Sequence, residues 1–297
     1  MERFNGVICI DKPRDFTSFD VIGKLRGMLR MKKLGHAGTL DPMATGVLPV
    51  FAGTATRACD ILPDHSKSYT AEFLLGLSTD TQDITGSVIS KRPACHTAED
   101  VEKALAAFRG RIMQVPPMYS AVSVNGRRLY DLAREGKVVE RPAREAEISS
   151  LELVSFDEEL QRGTLNVSCS GGTYIRTLVN DMGEALGCGG VLSDLRRTRA
   201  CGFDLKDCLG FEDVERHMEE GTLESVFLPV DRLFESYAPI ALDKRQTRLY
   251  KNGVKLEGEF EEPCGLYCIY GCDGGFIGLG EVLSGGGTLK VKKNFFS

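Results

Sequence analysis

The sequence predicts an α+β protein in which a large mixed-sheet domain is followed by a small β-rich domain. Strand-like and helix-like segments are mixed along most of the chain, without a strict β-α-β alternation. After about residue 236, short strand-like segments and frequent glycines replace helical periodicity. A chain of 297 residues is long enough for both units. We therefore expect domains at 1–236 and 237–297.

Hydrophobic periodicity and capping residues place the individual elements. A strand is predicted over 6–10, and Thr17 or Ser18 can cap a helix that runs to about residue 31. Thr97 and Asp100 are spaced like a capping box for a helix over 97–108, and Gly187 can end a helix over 174–186. The remaining predictions are strands over 47–51, 68–75, 121–124, 148–156 and 164–169, a helix over 211–220, a polar loop over 78–86 and turns at 125–126 and 284–287.

The overall composition is that of an ordinary globular protein, with 42% hydrophobic and 27% charged residues. No apolar run approaches the ~20 residues that a membrane span requires. The first residues lack the long apolar region of a secretion signal. We expect a cytoplasmic protein that does not enter a membrane.

The net charge of −5 does not by itself favour a polyanionic ligand, but the two signs of charge are segregated along the chain. Taken alone, a basic run is more often a solvated face, so the segregation is only weak support for a polyanion-binding surface. The basic groups are Lys24, Arg26, Arg30, Lys32 and Lys33; Arg109 and Arg111; Arg127 and Arg128; and Arg196, Arg197 and Arg199.

Ten cysteines are scattered along the chain, which is not the dense framework of a disulfide-rich secreted domain. Cys264, Cys268 and Cys272 are spaced by four residues in a strand-like segment, without a nearby histidine. Because zinc sites usually contain a tighter Cys-x-x-Cys pair, we interpret the three as buried free thiols on one strand face and expect no metal there.

One glycine-rich loop, residues 35–46, places a carboxylate on a constrained backbone. Gly35, Gly38 and Gly46 permit close approaches, and Pro42 restricts the backbone of Asp41. The residues alone also fit a simple Asp-Pro turn, in which Asp41 caps the loop. The loop is not a phosphate-binding P-loop, because the Gly-Lys-Ser/Thr ending is absent.

The loop resembles the signature loop of the bacterial TruB-type pseudouridine synthases, and further blocks resemble this family in the same order. The blocks span roughly residues 6–199, and agreement of all of them by chance is implausible. They are Gly35 to Pro49, Lys67-Ser68-Tyr69, Thr79 to Asp83, Pro116 to Ala121, Asn125 to Tyr130, Gly172 to Arg176 and Leu195 to Thr198.

The resemblance implies a catalytic trio. Asp41 matches the carboxylate that acts either as a nucleophile at the ribose C1′ or as a base on the ribose. Arg176 matches the arginine that pairs with this aspartate, although the residue alone also fits a structural salt bridge. Tyr69 matches the tyrosine that stacks on the target uracil; a lone tyrosine on a strand would more often be core.

The resemblance also implies substrate contacts. His36 matches the residue that helps to open the RNA during base flipping. Tyr174 and Leu195 match the lining of the uracil pocket, Lys12 a basic residue near the site, and Asp83 a polar residue of the cleft. Core packing remains open for Leu195, and capping of its loop for Asp83. The phosphate-contact candidates are Arg127, Arg128, Arg196 and Arg197.

By the same resemblance, we expect a cofactor-free, metal-free and monomeric enzyme that converts uridine 55 in the tRNA T-loop. The small β region occupies the place of the family's PUA domain, which implies contact with the tRNA acceptor region. A guide-RNA-dependent archaeal or eukaryotic synthase is one alternative, but Met43-Ala44 and the lack of long basic tails favour the stand-alone type. A non-catalytic RNA-binding module or tRNA chaperone is the other, and it would have no need of Asp41, Tyr69 and Arg176.

Overall fold

A computed structural model describes residues 4–124, 126–257, 260, 263–283 and 287–296 of the chain. The predicted turn at 125–126 therefore falls partly outside the described residues, as does most of the predicted turn at 284–287. No helix in the described ranges is long and apolar enough to cross a membrane.

The first half of the chain supplies five strands of a large sheet, including β7 at one of its ends. Its elements are β1 (Gly6–Lys12), α1 (Ser18–Leu29), β2 (Leu34–His36), β3 (Thr45–Ala52), β4 (Lys67–Leu75), β5 (Leu77–Thr79), β6 (Val88–Lys91), α2 (Ala98–Leu105), β7 (Gly110–Gln114), β8 (Ser123–Val124), β9 (Arg127–Arg128) and α3 (Leu129–Arg134).

The second half completes that sheet and builds a smaller one. Its elements are β10 (Arg144–Asp157), β11 (Arg162–Cys169), α4 (Ile175–Ala185), β12 (Gly190–Ala200), β13 (Phe203–Asp204), β14 (Cys208–Leu209), α5 (Phe211–Glu219), β15 (Pro239–Ala241), α6 (Lys244–Lys251), β16 (Leu256–Glu257), β17 (Gly265–Tyr270), β18 (Phe276–Val282) and β19 (Thr288–Asn294).

The large sheet is mixed, which confirms the predicted architecture. Its strand order is β14-β1-β3-β12-β4-β11-β10-β7, with β2 paired to β3 and β13 to β12. Strand β12 runs parallel to β3 and antiparallel to β4, so it joins the two halves of the sheet. The smaller sheet has the order β15-β17-β18-β19-β16.

Capping residues begin the helices where the sequence predicts. Thr17 and Asp20 form a reciprocal capping box at the start of α1, and Thr97 and Asp100 form another at α2. In both cases the threonine hydroxyl accepts from the third residue's N–H, and the aspartate accepts from the cap backbone. These predictions are confirmed.

Three apolar cores contain residues of the large sheet, and one of these cores also contains residues of the small sheet. Cys268, Leu279 and Phe295 of the small sheet region share a core with Val7 and Phe51 of the large one. The Thr54 hydroxyl also donates to the Phe295 carbonyl at 2.5 Å. The small sheet is therefore packed on the back of β1 and β3 by buried apolar surface.

Two predictions about elements are wrong, and a third is shifted at one end. The predicted polar loop over 78–86 begins two residues later, because β5 includes Ser78 and Thr79. Helix α6 lies in the region that was expected to lack helices. The sequence did not indicate it because only two of its eight residues, Thr247 and Tyr250, are buried. Of the three regularly spaced cysteines, only Cys268 is buried in β17; Cys264 and Cys272 lie beyond its ends and are exposed.

Candidate active site

A cleft of about 300 Å³ opens between the loop after β2 and the start of α4. It brings together residues from five separate parts of the sequence, including Asp41, Tyr69, Tyr174, Arg176 and Leu195. The full lining is Gly38, Thr39, Leu40, Asp41, Lys67, Tyr69, Ser120, Ala121, Gly172, Thr173, Tyr174, Ile175, Arg176 and Leu195. The structure therefore collects five of the predicted site residues in one place.

Hydrogen bonds from the start of α1 and from the segment before it hold the loop that carries Asp41. The Ser18 hydroxyl, at the start of α1, accepts from the N–H of Leu40 at 2.9 Å. The Asp15 N–H donates to the Pro42 carbonyl at 2.8 Å. At the end of the loop, Gly46 has φ +102°, and a Cβ there would lie 2.1 Å from the Arg197 carbonyl oxygen. Only glycine fits at that position.

Asp41 and Arg176 form a two-point ion pair inside the cleft. The Arg176 Nε lies 2.9 Å from Asp41 Oδ2, and Nη2 donates to Oδ1 at 3.1 Å. The guanidinium also donates to the carbonyls of Thr81 at 3.0 Å and Tyr119 at 2.8 Å. Because these contacts fix the plane of the guanidinium, Arg176 sets the orientation of the carboxylate as well as balancing its charge.

Asp83 is a second carboxylate behind this pair. Its Oδ2 is 3.9 Å from Arg176 Nη1. Its Oδ1 accepts from the hydroxyls of Thr81 at 2.8 Å and Thr85 at 2.6 Å and from the Thr85 N–H at 3.0 Å. The side chain therefore stabilises its own loop by hydrogen bonds and also places a negative charge near Asp41 and Arg176.

The surroundings of Asp41 raise the pKa of its carboxyl group. The largest cause is desolvation, Asp83 adds to it, and Arg176 and Lys12 act in the opposite direction. Although the protein encloses the carboxyl group, 35% of the side chain is exposed, and Asp41 lines the cleft. An anion in this setting is poorly hydrated yet accessible to a ligand, as a reactive carboxylate must be.

The aromatic and aliphatic walls come from β4, β12 and the segment before α4. Burial raises the pKa of Tyr69 to about 12, so its phenol is neutral at neutral pH. Leu195 and Tyr69 are both nearly buried. The backbone of Tyr174 is held by Gln114, whose amide accepts from its N–H at 3.0 Å and donates to its carbonyl at 3.2 Å.

Lys12 is fully buried, and its ammonium group does not line the cleft. Nζ donates to the carbonyls of Phe16 at 2.6 Å, Pro13 at 2.9 Å and Pro42 at 3.2 Å. Burial lowers the pKa of Lys12 to about 8, with Asp41 acting in the opposite direction. The side chain thus remains largely an ammonium at neutral pH, and its three donors tie the start of the chain to the residue after Asp41.

Arg197 is also fully buried, which corrects its prediction as a phosphate contact. Its guanidinium donates to the carbonyls of Val47 at 2.7 Å, Gly38 at 3.0 Å and Thr39 at 3.5 Å. Side chains alternate along β12, so the neighbouring Arg196 is partly exposed while Arg197 points into the protein. Arg197 therefore supports the inner side of the Asp41 loop.

The other predicted phosphate contacts lie at the surface. Arg127 is exposed and paired with Glu135, and Arg128 is exposed with its guanidinium 5.9 Å from the centre of the Tyr130 ring. Arg196 donates to Asp11 at 2.7 Å and to the Thr45 hydroxyl at 3.2 Å. All three side chains can be reached from solvent.

His36 lies beside the cleft rather than in its lining. Its ring meets the exposed ring of Phe19 edge-on, with 6.2 Å between centroids. Burial lowers the pKa of His36, which favours the neutral imidazole. Nδ1 is buried without a hydrogen-bond partner in the described part of the chain.

Sequence reasoning missed three polar residues at the cleft. Gln114 holds Tyr174 as described above. Lys67 lines the cleft, and burial lowers its pKa. Ser120 is nearly buried, and its Oγ has no hydrogen-bond partner among the described residues. Ser120 lies in the block 116–121, so the block could have indicated it, but no local pattern distinguishes a serine in a cleft from one in a turn.

The described residues contain no group of three or more His, Cys, Asp or Glu side chains that could hold a metal ion. The cleft lining presents the Asp41 carboxylate with its partner Arg176, the neutral phenol of Tyr69 and neighbouring polar groups.

Comparison with solved structures shows the class of fold to which this chain belongs. It superposes on a Cbf5-Nop10-Gar1 complex with a TM-score of 0.74 and 24% identity, covering 98% of this chain and 85% of that one. A structure of an H/ACA RNP bound to a substrate RNA containing 2′-deoxyuridine gives a TM-score of 0.73 with 23% identity, again covering 98% of this chain and 85% of that one. This chain therefore shares the overall fold of these solved structures.

Sequence comparison then defines the family. The N-terminal domain of TruB family pseudouridylate synthase matches residues 26–175, and the C-terminal domain of tRNA pseudouridylate synthase B matches 176–235. The chain is 42% identical to tRNA pseudouridine synthase B of Bacillus cytotoxicus over 89% of this chain and 88% of the relative. It is also 42% identical to that of Stutzerimonas stutzeri over 95% and 93%. This chain belongs to the TruB family of pseudouridylate synthases.

Proposed function

We propose that this protein isomerises uridine 55 in the T-loop of tRNA to pseudouridine, as a monomer, without a cofactor, a metal or a guide RNA. The observation that supports this most directly is the accessible Asp41 carboxylate, oriented by Arg176 and facing the cleft that Tyr69 and Leu195 also line. The curated relatives named tRNA pseudouridine synthase B support tRNA as the substrate class.

The reaction requires three steps at one nucleotide. The C1′–N1 bond breaks, the uracil turns, and C5 bonds to C1′; C5 then loses its proton and N1 takes one up, so the product is an isomer of the substrate. Asp41 can serve either as the nucleophile at C1′ or as the base that removes a ribose proton. Both routes need the ionised carboxylate, so the bond from Arg176 Nε to Oδ2 supports either one by stabilising the anion.

Tyr69 and Leu195 would enclose the uracil once the nucleotide has left its stack. Tyr69 offers an aromatic face and, with a pKa raised to about 12, a neutral phenol that can donate a hydrogen bond. Tyr174 and Ser120 line the same cleft, and the Ser120 hydroxyl is free to bond to a polar edge of the base. We propose His36, beside the cleft, as the residue that enters the space left in the RNA.

Lys12 and Arg197 are proposed as positioning residues. Together they donate six hydrogen bonds to backbone carbonyls around the Asp41 loop, at Pro13, Phe16, Pro42, Gly38, Thr39 and Val47. Charged donors to carbonyls are stronger than neutral ones, so the loop backbone is held in one geometry before substrate binds. The carboxylate then needs little reorganisation during the reaction.

RNA outside the T-loop would be bound by surface cations and by the small sheet. Arg127, Arg128 and Arg196 remain the phosphate-contact candidates, since all three can be reached from solvent. We further propose that residues 237–297 form a separate PUA-like domain that contacts the acceptor region of the tRNA.

The test is pseudouridine formation in an unmodified tRNA transcript, without added metal or nucleotide, followed by mapping of the modified position. We expect one pseudouridine per molecule, at position 55, and none in a transcript with cytidine at that position. Modification at other positions would contradict the proposed site. Tight binding without any isomerisation would contradict an enzyme and indicate an RNA chaperone.

The pH profile should report the raised pKa of Asp41. Activity needs the carboxylate, so kcat/KM should fall as the pH drops through a pKa above that of an ordinary aspartate. Asp83→Asn removes a negative charge that raises this pKa, and it keeps an Oδ1 acceptor for Thr81 and Thr85. The acid limb of the variant should move to lower pH. Thermal melting at each pH separates titration from unfolding, and an acid limb that stays in place would contradict the assignment.

A further inference from the structure

The longest acid-free basic run, from Lys24 to Lys33, has no role in the cleft. It lies on and just after α1, whose buried face is formed by Val21, Ile22, Leu25 and Leu29. On the exposed side, Phe19, Gly23, Arg26, Gly27 and Arg30 fall within about 100° of one another around the helix axis, at 100° per residue. We call these five residues the α1 strip. It runs for about 16 Å at 1.5 Å per residue.

The two glycines of the α1 strip have no explanation within the fold. Glycine in a helix interior is destabilising relative to alanine. Neither Gly23 nor Gly27 has a neighbouring atom within 4 Å of the place where a Cβ would lie, and neither has a positive φ. No internal packing or backbone geometry therefore requires them. They leave the helix backbone open to close approach by an external molecule.

The cations beside these glycines are available to such a molecule. Arg26, Arg30 and Lys32 are all exposed, and in the described part of the chain none pairs with an acidic side chain. The nearby acid of α1, Asp20, lies on an adjacent face and is engaged by Thr17 in the capping box. The strip therefore presents positive charge on a smooth backbone surface.

The α1 strip also leads directly to the cleft. At its first residue, the ring of Phe19 is 69% exposed and meets His36 edge-on. Two residues after His36, Gly38 lines the cleft. Farther along the helix, Arg26 donates to the Leu34 carbonyl at 3.3 Å, which keeps the strip alongside β2. A polyanion whose reacting part lies in the cleft can thus extend along the strip.

We propose that the α1 strip, with Lys32, binds the sugar-phosphate backbone of the same RNA whose uridine enters the cleft. Phe19 packs against the sugar or base nearest to the cleft, the glycines admit the backbone, and Arg26, Arg30 and Lys32 contact phosphates. This rests on the proposed function, because the occupant is the tRNA substrate. Such contacts position the RNA and do not read its sequence.

The glycines provide a test in which protein stability and RNA affinity change in opposite directions. Gly23→Ala and Gly27→Ala should raise the melting temperature, because alanine favours the helix. The same variants should weaken binding of an unmodified tRNA transcript about 3- to 10-fold, because a methyl group occupies the space of the RNA backbone. Fluorescence anisotropy gives the binding constant, and thermal unfolding gives the stability.

The cations provide an independent test through salt dependence. The double variant Arg30→Asn/Lys32→Ala uses asparagine at residue 30, because Arg30 has φ 53° and asparagine tolerates that conformation. The slope of log affinity against log salt should decrease by about 1 per lost phosphate contact. The matched control is Arg162→Ala, an exposed arginine at the end of β11 away from the cleft. The control should keep the slope of the original protein.

Two results would overturn the proposal. One is a pair of alanine variants that melt at higher temperature with unchanged tRNA affinity; the other is a salt slope equal to that of the Arg162→Ala control. Binding is measured with Asp41→Asn present in every protein compared, so no turnover occurs and these results do not depend on whether the cleft isomerises uridine. If the original protein does not isomerise uridine, the proposed function is refuted, but the binding measurements still test whether the α1 strip contacts RNA.

Discussion

Asp41→Asn should reduce pseudouridine formation by at least about 10³-fold, because the reaction loses the carboxylate that acts on the ribose. Asparagine is nearly isosteric, and its Oδ1 can still accept from Arg176 Nη2. Its amide cannot accept from Nε, so we expect a loss of about 1 kcal/mol in the free energy of unfolding. Single-turnover rates on a tRNA transcript measure the activity, and thermal unfolding measures the stability.

The control for this variant is Asp60→Asn, an exposed aspartate outside the cleft lining. It makes the same change of charge and should leave the rate unaltered. The Asp41→Asn protein should still bind tRNA, since phosphate contacts supply most of the affinity. A rate within tenfold of the original protein would remove Asp41 from the chemistry.

Arg176→Met should be the second most damaging change, with a loss of about 10²- to 10³-fold in kcat. The substitution leaves Asp41 without its charged partner and the carbonyls of Thr81 and Tyr119 without a donor. We expect it to lower the free energy of unfolding by about 3 kcal/mol, because Arg176 is nearly buried. The partial exposure of Asp41 keeps this cost below that of a fully buried pair.

Arg176→Lys separates charge from geometry. Lysine keeps a positive charge near Asp41 but cannot form the two-point contact and the two carbonyl bonds at once. Since Arg176 lowers the pKa of Asp41, the acid limb of kcat/KM should move to higher pH in the methionine variant and less so in the lysine variant. Equal acid limbs in all three proteins would show that Arg176 serves only the fold.

Local chemistry explains why much of the fold could be predicted. The capping boxes at Thr17 and Thr97 depend on residues three positions apart, and their geometry is determined within one turn. The strands β1, β3 and β4 are nearly continuous or alternating apolar runs, so their burial is visible in the sequence. These elements need no distant partner to be recognised.

The features that the sequence did not reveal depend on distant partners. Strand β12 contains Arg196, Arg197 and Arg199, and its charges made it resemble a binding surface rather than a central strand. The burial of Arg197 follows from carbonyls at Gly38, Thr39 and Val47, which only the folded sheet brings to it. Helix α6 is polar nearly all round, so it has little apolar periodicity to recognise.

In the candidate site, too, some residues could be identified from the sequence and others only from their contacts in the folded protein. Asp41, Tyr69, Arg176, Tyr174 and Leu195 were identified from their resemblance to family motifs, and the cleft brings them together. Composition and periodicity alone had left each of Asp41, Arg176, Tyr69 and Leu195 with a structural alternative. Ser120 and Gln114 were missed because the role of each depends on residues that are distant in sequence and are brought near only by folding.

The central place of β12 has a consequence for the newly made chain. Strand β4 pairs with β11 on one side and with β12 on the other, and β12 is not complete until residue 200 has been made. At the usual rate of ~5–20 residues per second, one edge of β4 stays open for on the order of ten seconds. During that interval Arg197 has not yet reached the Asp41 loop. The sheet therefore closes late and through contacts between distant parts of the chain, which slows folding and exposes a strand edge to aggregation.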